Sequence, residues 1–248
     1  MLAVDNIQKR FGGLHAIADA SLVVRQGEIV SLIGPNGAGK TTLFAIISGF
    51  LKADAGTIRF RDQDLSTLHS HQICLLGIVR TFQIVQPFAH LSVRENIAVG
   101  AHNRIANRRE ALQLADQIGS QLHMQHLLQQ PANALTVAGR KRLEIARALA
   151  TQPSLLLLDE VMAGLNATEI GEIVNDIRRI RDDGITILLT EHVMQAVMQL
   201  SDRTYVLNNG GIIAEGAPQE ICRDDAVIEA YLGKGARKLL QTEGAGHA

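Results

Sequence analysis

Residues Gly34, Pro35, Asn36, Gly37, Ala38, Gly39, Lys40, Thr41 and Thr42 contain a complete GxxxxGK[ST] pattern, and its flanks restrict the fold more than any other stretch of the chain. The apolar run Glu28 to Ile33 before it reads as a buried strand, and Leu43 to Ile47 after it reads as a helix. A strand, a glycine loop and a helix start in that order let backbone N–H groups curl around a phosphate chain at the positive end of the helix dipole. Lys40 is then placed for the β- and γ-phosphates, and the Thr41 hydroxyl for magnesium. The unit implies an α/β chain that binds a nucleoside triphosphate; the use made of it must be read elsewhere.

The bulk properties narrow the surroundings of that unit. With 248 residues, 46% hydrophobic and 20% charged, the chain fits one large soluble α/β domain, or one domain carrying an insert. A net charge of −1 gives no global reason to bind nucleic acid or an anionic membrane. The basic clusters Arg108-Arg109, Arg140-Lys141-Arg142 and Arg178-Arg179 read as solvated helix faces. No apolar stretch approaches the roughly 18 to 20 residues that span a bilayer. The opening MLAVDNIQKRFGG lacks the layout of a secretory signal, so a cytoplasmic location is expected. Cys74 and Cys222 are the only cysteines, which fits a reducing compartment. The pairs His69/His71 and His123/His126 lack carboxylate or cysteine companions at ligand spacing, and no metal site is expected there.

Along the chain the N-terminal third is strand-rich, with Leu2 to Ile7, Ser21 to Arg25, Glu28 to Ile33 and Thr57 to Arg61 running or alternating apolar. From Ser92 to about Ala150 helical spacing takes over, notably in Arg108 to Leu128 and Arg140 to Ala150. Strands resume at Ser154 to Leu158 and Ile185 to Leu189 with a helix over Thr168 to Asp183 between them, a unit that demands parallel pairing. Tyr205 to Ala214 reads as a hairpin around Asn208-Asn209-Gly210-Gly211. The tail 234–248 is polar and Gly-rich and is expected to fray. The pattern is a nucleotide-binding α/β core, residues 1–83 and 151–233, interrupted by a helical insert, residues 84–150.

Leu155 to Leu158 is an apolar strand that ends in Asp159 and Glu160. In an open parallel sheet ligands bind beyond the carboxyl ends of the strands, which brings both acids toward the phosphate loop. Asp159 suits magnesium and Glu160 suits polarising an attacking water. Gln83 and His192 each follow a core strand and are placed for the γ-phosphate end, although either is also an ordinary loop residue. Phe11, in a chain with only 3% aromatics, has two readings, a stacking partner for adenine or a core residue.

The order Phe11, GPNGAGKTT, Gln83, Leu135 to Arg142 before LEIARALA, LLLLDE, Ala163 to Asn166 and His192 resembles the ATP-binding cassette ATPases of membrane transporters, from about Leu2 to Gly233. The stretches RFGGLHAI, VRTFQ, AGLN, TEHVM and EAYLG are similar to the ATPase subunits of branched-chain amino-acid importers. The resemblance implies a P-loop NTPase fold: a RecA-like core with an N-terminal antiparallel β subdomain and an inserted α-helical subdomain. It also implies ATP and Mg²⁺ as ligands, with Thr41, Gln83 and Asp159 at the metal and Glu160, His192, Gln83 and Lys40 in hydrolysis. Two cassettes would face each other head to tail, with ATP between one phosphate loop and the opposite signature. Permease subunits would hold the pair at the inner face of the membrane, with a solute-binding protein acting indirectly. Exporter-type cassettes, including the lipopolysaccharide-export ATPase, and non-transport cassettes are the alternatives.

The signature departs from the usual Leu-Ser-Gly-Gly-Gln. Here Leu135-Thr136-Val137-Ala138-Gly139 keeps a hydroxyl at Thr136, and the Ala138 methyl is expected to hinder close backbone approach to the nucleotide, with Gly139 following. A site weakened in this way favours a heterodimer with a second cassette, a homodimer being the competing arrangement. The segment Ile84 to Asn96 would meet the permease, and its Phe88, Leu91 and Val93 are either docking residues or core.

Overall fold

Strands that bury one face and strands that bury both are built differently here, and the boundary between them positions everything else. The computed structural model describes residues 1–82 and 86–232. The half-buried strands β1 (Leu2–Phe11) and β2 (Leu14–Val24) form an antiparallel hairpin. β3 (Ile29–Ile33) is buried at every position and feeds α1 (Lys40–Ile47). β4 (Ala55–Phe60) and the short β5 (Gln63–Asp64) return to the hairpin's far edge, and α2 (Ser70–Leu76) leads to β6 (Ile78–Arg80). The helices α3 (Val93–Ala101), α4 (Arg108–Gln121) and α5 (Val137–Ala150) follow. The chain closes with β7 (Leu155–Asp159), α6 (Ala167–Asp182), β8 (Thr186–Thr190), α7 (Met194–Leu200), β9 (Arg203–Asn208), β10 (Gly211–Gly216), α8 (Pro218–Ile221) and α9 (Asp225–Leu232).

The strands join in the order β5-β4-β1-β2-β10-β9-β3-β8-β7-β6. β9, β3, β8, β7 and β6 run parallel, as strands linked by helical crossovers must, and β7 and β8 are buried at all their positions. The antiparallel half is β5, β4, β1 and β2. The halves meet where β10 pairs with β2 at Gly211 and Asp19. Each helix of the insert opens on a side-chain cap: Ser92 with Glu95 for α3, Asn107 for α4 and Thr136 for α5. Ile97, Ala115, Leu143 and Ala146 of the insert belong to the same buried cluster as Ile29, Leu156 and Leu189 of the sheet. The insert is thus seated on one face of the parallel sheet through a continuous apolar contact.

Several sequence boundaries move. β1 continues past Ile7 to Phe11 because Asn6, at φ 48°, makes an irregularity that breaks the alternation without ending the strand. β2 starts at Leu14 rather than Ser21, since its first half is largely exposed and carries no apolar period. The helix expected over Arg108 to Leu128 stops at Gln121; His123 turns to φ 57° and a short 3₁₀ turn, Gln125–Leu127, follows. In the segment expected to meet a permease, Val93 is core and Phe88 is 48% exposed. The tail 234–248, and Gln83 to Val85, lie outside the described residues.

The β9–β10 turn has the φ > 0 pair of a type I′ hairpin, Asn209 at 47° and Gly210 at 79°. The Gly210 carbonyl accepts from Ala18 N–H at 2.8 Å, and its N–H donates to Ala38 O at 3.0 Å, which fastens the phosphate loop to both sheet halves. A Cβ at Gly210 would lie 2.7 Å from Ala18 N. Gly210→Ala is expected to lower stability by about 2–3 kcal/mol, the left-handed penalty plus the clash, as measured by chemical denaturation.

Candidate active site

The phosphate loop turns directly into α1, whose N-cap, Gly39, makes no side-chain cap bond. Its first N–H groups therefore face the loop's hollow without a side-chain acceptor, the condition for binding an anion. Gly39 sits at φ 110°, and a Cβ there would come within 2.5 Å of Ala16 O, so only glycine lets the loop press this closely on β2. Lys40 is buried, with Nζ donating to Gly34 O at 2.7 Å and to Pro35 O at 3.1 Å. Burial pushes the Lys40 ammonium below its ordinary range, and the negative charges of Glu160 and Asp159 oppose that shift. One of its three donors is left for a ligand. A cleft of about 420 Å³ opens over Asn36 to Thr42 and is lined as well by Phe11, His15 and Glu160. Phe11 is 47% exposed at its mouth, which removes the core reading of that residue.

The acids stand at the end of β7. Asp159 is 1% exposed; Oδ1 accepts from Thr190 Oγ1 at 2.8 Å, Oδ2 from Arg80 Nη2 at 2.7 Å, and its N–H donates to Thr81 Oγ1 at 3.0 Å. Glu160 follows at φ 50°, a left-handed conformation that costs a non-glycine residue about 1–3 kcal/mol and turns its side chain toward the cleft. Its backbone is held by Glu160 N–H to Thr190 O at 3.0 Å and by Lys141 Nζ to Glu160 O at 3.1 Å. Its Oε1 lies 2.5 Å from His192 Nε2. Thr41 borders both this cleft and a second cavity that Asp159 lines, so a hydroxyl and a carboxylate face one space, a donor set that suits a hard cation.

Thr136, Ala138 and Gly139 line neither cavity. Thr136 Oγ1 accepts from Gly139 N–H at 3.2 Å and caps α5. The expectation that the Ala138 methyl stands in the way is corrected: Ala138 is buried, and Val137, 56% exposed, is the apolar side chain that stands outward. Gln83 lies outside the described residues.

Three polar residues at the site escaped the sequence reading. Arg80 is a charge within a short buried strand, Glu144 an acid within the apolar run LEIARALA, and Glu191 an acid directly before His192. A charge where periodicity demands burial was the available signal. Glu191 is 1% exposed and accepts from Met162 N–H at 2.9 Å, which ties the turn after Glu160 to the end of β8. Burial raises the Glu191 carboxyl to about 7.

With Lys40 as the countercharge for bound phosphates, Lys40→Ala is expected to abolish nucleotide binding in calorimetry. For Glu191 the folded carboxyl titrates above its unfolded value of 4.5, so the folded state is favoured below that pH and loses stability as pH rises through about 7. Glu191→Gln has no such loss. Its stability relative to wild type should climb between pH 4.5 and 7 by at most about 3 kcal/mol, read from denaturation midpoints.

Comparison with known proteins gives this geometry its context. The sequence profile of the family described as ABC transporter matches residues 17–163, and that of the branched-chain amino acid ATP-binding cassette transporter matches residues 212–237. The high-affinity branched-chain amino acid transport ATP-binding protein LivG of Salmonella typhimurium is 43% identical over 94% of this chain and 98% of its own. The lipopolysaccharide export system ATP-binding protein LptB of Escherichia coli is 37% identical over 95% and 98%. The crystal structure of a nucleotide-free ATP-binding cassette from an ABC transporter superposes with a TM-score of 0.87, at 34% identity, over 94% of this chain and 99% of that one. A phosphate loop fastened at Gly210, acids at the tip of β7, a histidine on Glu160 and a capped helical insert are thus found in a chain that belongs to the ABC transporter family and is one of its ATP-hydrolysing subunits.

Proposed function

We propose that this chain powers an importer of branched-chain or other hydrophobic amino acids, or of related small solutes. The observation that carries this reading is the match of residues 212–237 to the branched-chain importer profile, which begins within β10 and includes α9. LivG is also more identical to the chain than LptB is, at 43% against 37%.

In the proposed cycle, Lys40 and the N–H groups at the start of α1 hold the β- and γ-phosphates, and Phe11 stacks on the base. Thr41, Asp159 and Gln83 would hold magnesium, which supplies charge neutralisation at the phosphate oxygens. Glu160 takes a proton from the attacking water, and His192, bonded to it, keeps the carboxylate aimed. Closure would need a second cassette, because Thr136, Val137, Ala138 and Gly139 line neither cavity of their own chain. Val137, exposed beside Thr136, makes that surface unlike a glycine signature and favours a heterodimer with unequal sites. Phe50, Phe82 and Phe88 are exposed, with the first two rings edge to face at 5.4 Å, a surface suited to a permease helix that would hold the chain at the inner face of the membrane. No helix among the described residues is long and apolar enough to cross a membrane.

Glu160→Gln is expected to bind ATP normally, lose hydrolysis and accumulate as a closed dimer in size-exclusion chromatography. Wild-type turnover in that variant would assign the base elsewhere. Purified with its attached subunits from detergent-solubilised membranes, the chain should bring down permeases and a second cassette. Equal turnover at both sites of the reconstituted assembly would contradict the unequal pair.

A further inference from the structure

Asp159 is held by a cation from its own chain. Arg80 Nη2 lies 2.7 Å from Asp159 Oδ2, and the two side chains are 8% and 1% exposed. A fully engaged structural guanidinium would satisfy all its donors, yet Arg80 Nε is buried without a hydrogen-bond partner. The complementary fault lies in the same cavity, where Glu144 Oε2 is buried and also without a partner. Glu144 uses its other oxygen, Oε1, to accept from Phe82 N–H, and Phe82 carries its ring 5.7 Å from the Arg80 guanidinium. Burial raises the Glu144 carboxyl, and the Phe82 N–H bond opposes that shift.

Glu144 already feels the charges of Lys141 and of Arg147, which lines the same cavity of about 450 Å³, yet neither bonds its orphaned oxygen; with Arg80 Nε orphaned on the wall of that cavity too, a second arrangement of the guanidinium is available. In the observed arrangement Arg80 serves Asp159. In the other it would serve Glu144, satisfying both orphans and leaving Asp159 Oδ2 open. A divalent cation at Asp159 would repel the guanidinium and favour the second arrangement.

We propose that Arg80 is a stand-in cation for the metal: it holds Asp159, and transfers to Glu144 when magnesium takes that carboxylate. The transfer moves the guanidinium that stacks on Phe82, whose ring meets Phe50 on the exposed aromatic surface. Metal occupancy is thereby reported to the face proposed for the permease. Arg80 and Glu144 act through Asp159 and Phe82, as positioning residues. The inference rests on the reading of Asp159 as a magnesium ligand.

The test is the magnesium dependence of affinity for a non-hydrolysable ATP analogue, measured by calorimetry on the full chain as the ratio of affinity in Mg²⁺ to affinity in EDTA. Arg80→Gln should raise that ratio about five-fold or more, because the competitor is gone. Glu144→Gln should lower it, because the displaced guanidinium has lost its destination. Added to Arg80→Gln, the Glu144 change should have no further effect; a general electrostatic influence of Glu144 would persist in the double variant and overturn the proposal. A ratio lowered or unmoved by Arg80→Gln makes the ion pair a structural tie and also overturns it. Arg80→Met repeats the test if Arg80→Gln does not fold, and if neither folds, an unmoved ratio in Glu144→Gln overturns the transfer. A wild-type ratio of one overturns the metal reading of Asp159 and the transfer with it, whereas a larger wild-type ratio unmoved by the variants overturns the transfer alone.

Discussion

A carboxylate buried at the end of a central strand is expensive unless its neighbours satisfy it, and the arrangement around Asp159 follows from that requirement. Several kcal/mol of desolvation are at stake for such an ion. Thr190 comes from β8 on one side and Arg80 from β6 on the other, so one carboxylate ties three adjacent strands at their carboxyl ends, and the Asp159 N–H adds a bond to Thr81 Oγ1. Because those strands are parallel and in register, with Asp159 opposite Thr190, the residues after each strand come together. Glu160, Glu191 and His192 converge for that reason, from two separate stretches of chain.

The amino-terminal ends of the parallel strands are tied by a second charge. Arg203 of β9 bonds Glu28 at 2.9 Å, Glu215 of β10 at 2.6 Å and the carbonyl of Val23 in β2 at 2.7 Å. It therefore crosses the junction between the parallel and antiparallel halves. Gly210 crosses the same junction near the phosphate loop through Ala18 and Ala38. With these fastenings the antiparallel half holds Phe11 at the mouth of the cleft, and the parallel half supplies the loop and the acids. The site is a product of the junction, and neither half contains it alone.

What the sequence disclosed and what it hid divide along this line. Elements buried on both faces, β3, β7 and β8, were legible because continuous apolar runs have no other use in a chain this size. The β9–β10 turn was legible because Asn-Gly serves a type I′ geometry. The first half of β2 and the extension of β1 to Phe11 were hidden, since a half-exposed strand with an irregularity at Asn6 loses its period. Within the site, the loop, both acids and His192 could be named from position. Arg80, Glu144 and Glu191 could not, because their partners lie 79, 62 and 29 residues away along the chain and only the fold brings them together.

The signature region shows why residue-by-residue substitution is a poor guide to a surface. Reading Ala138 against a glycine placed a methyl on the nucleotide-facing side, but the helix decides otherwise. Thr136 is the N-cap, so α5 begins at Val137, and its hundred-degree turns send Val137 outward and Ala138 into the packing of the insert. The hydroxyl of Thr136 is spent on the N–H of Gly139, which caps the helix start and leaves the N–H groups of Val137 and Ala138 without an intrahelical acceptor. An opposing phosphate chain would thus meet open backbone donors with an isopropyl group beside them. That combination keeps the electrostatics of an anion-binding helix end and changes its steric fit, so any asymmetry of a cassette pair would lie in how closely the two chains approach.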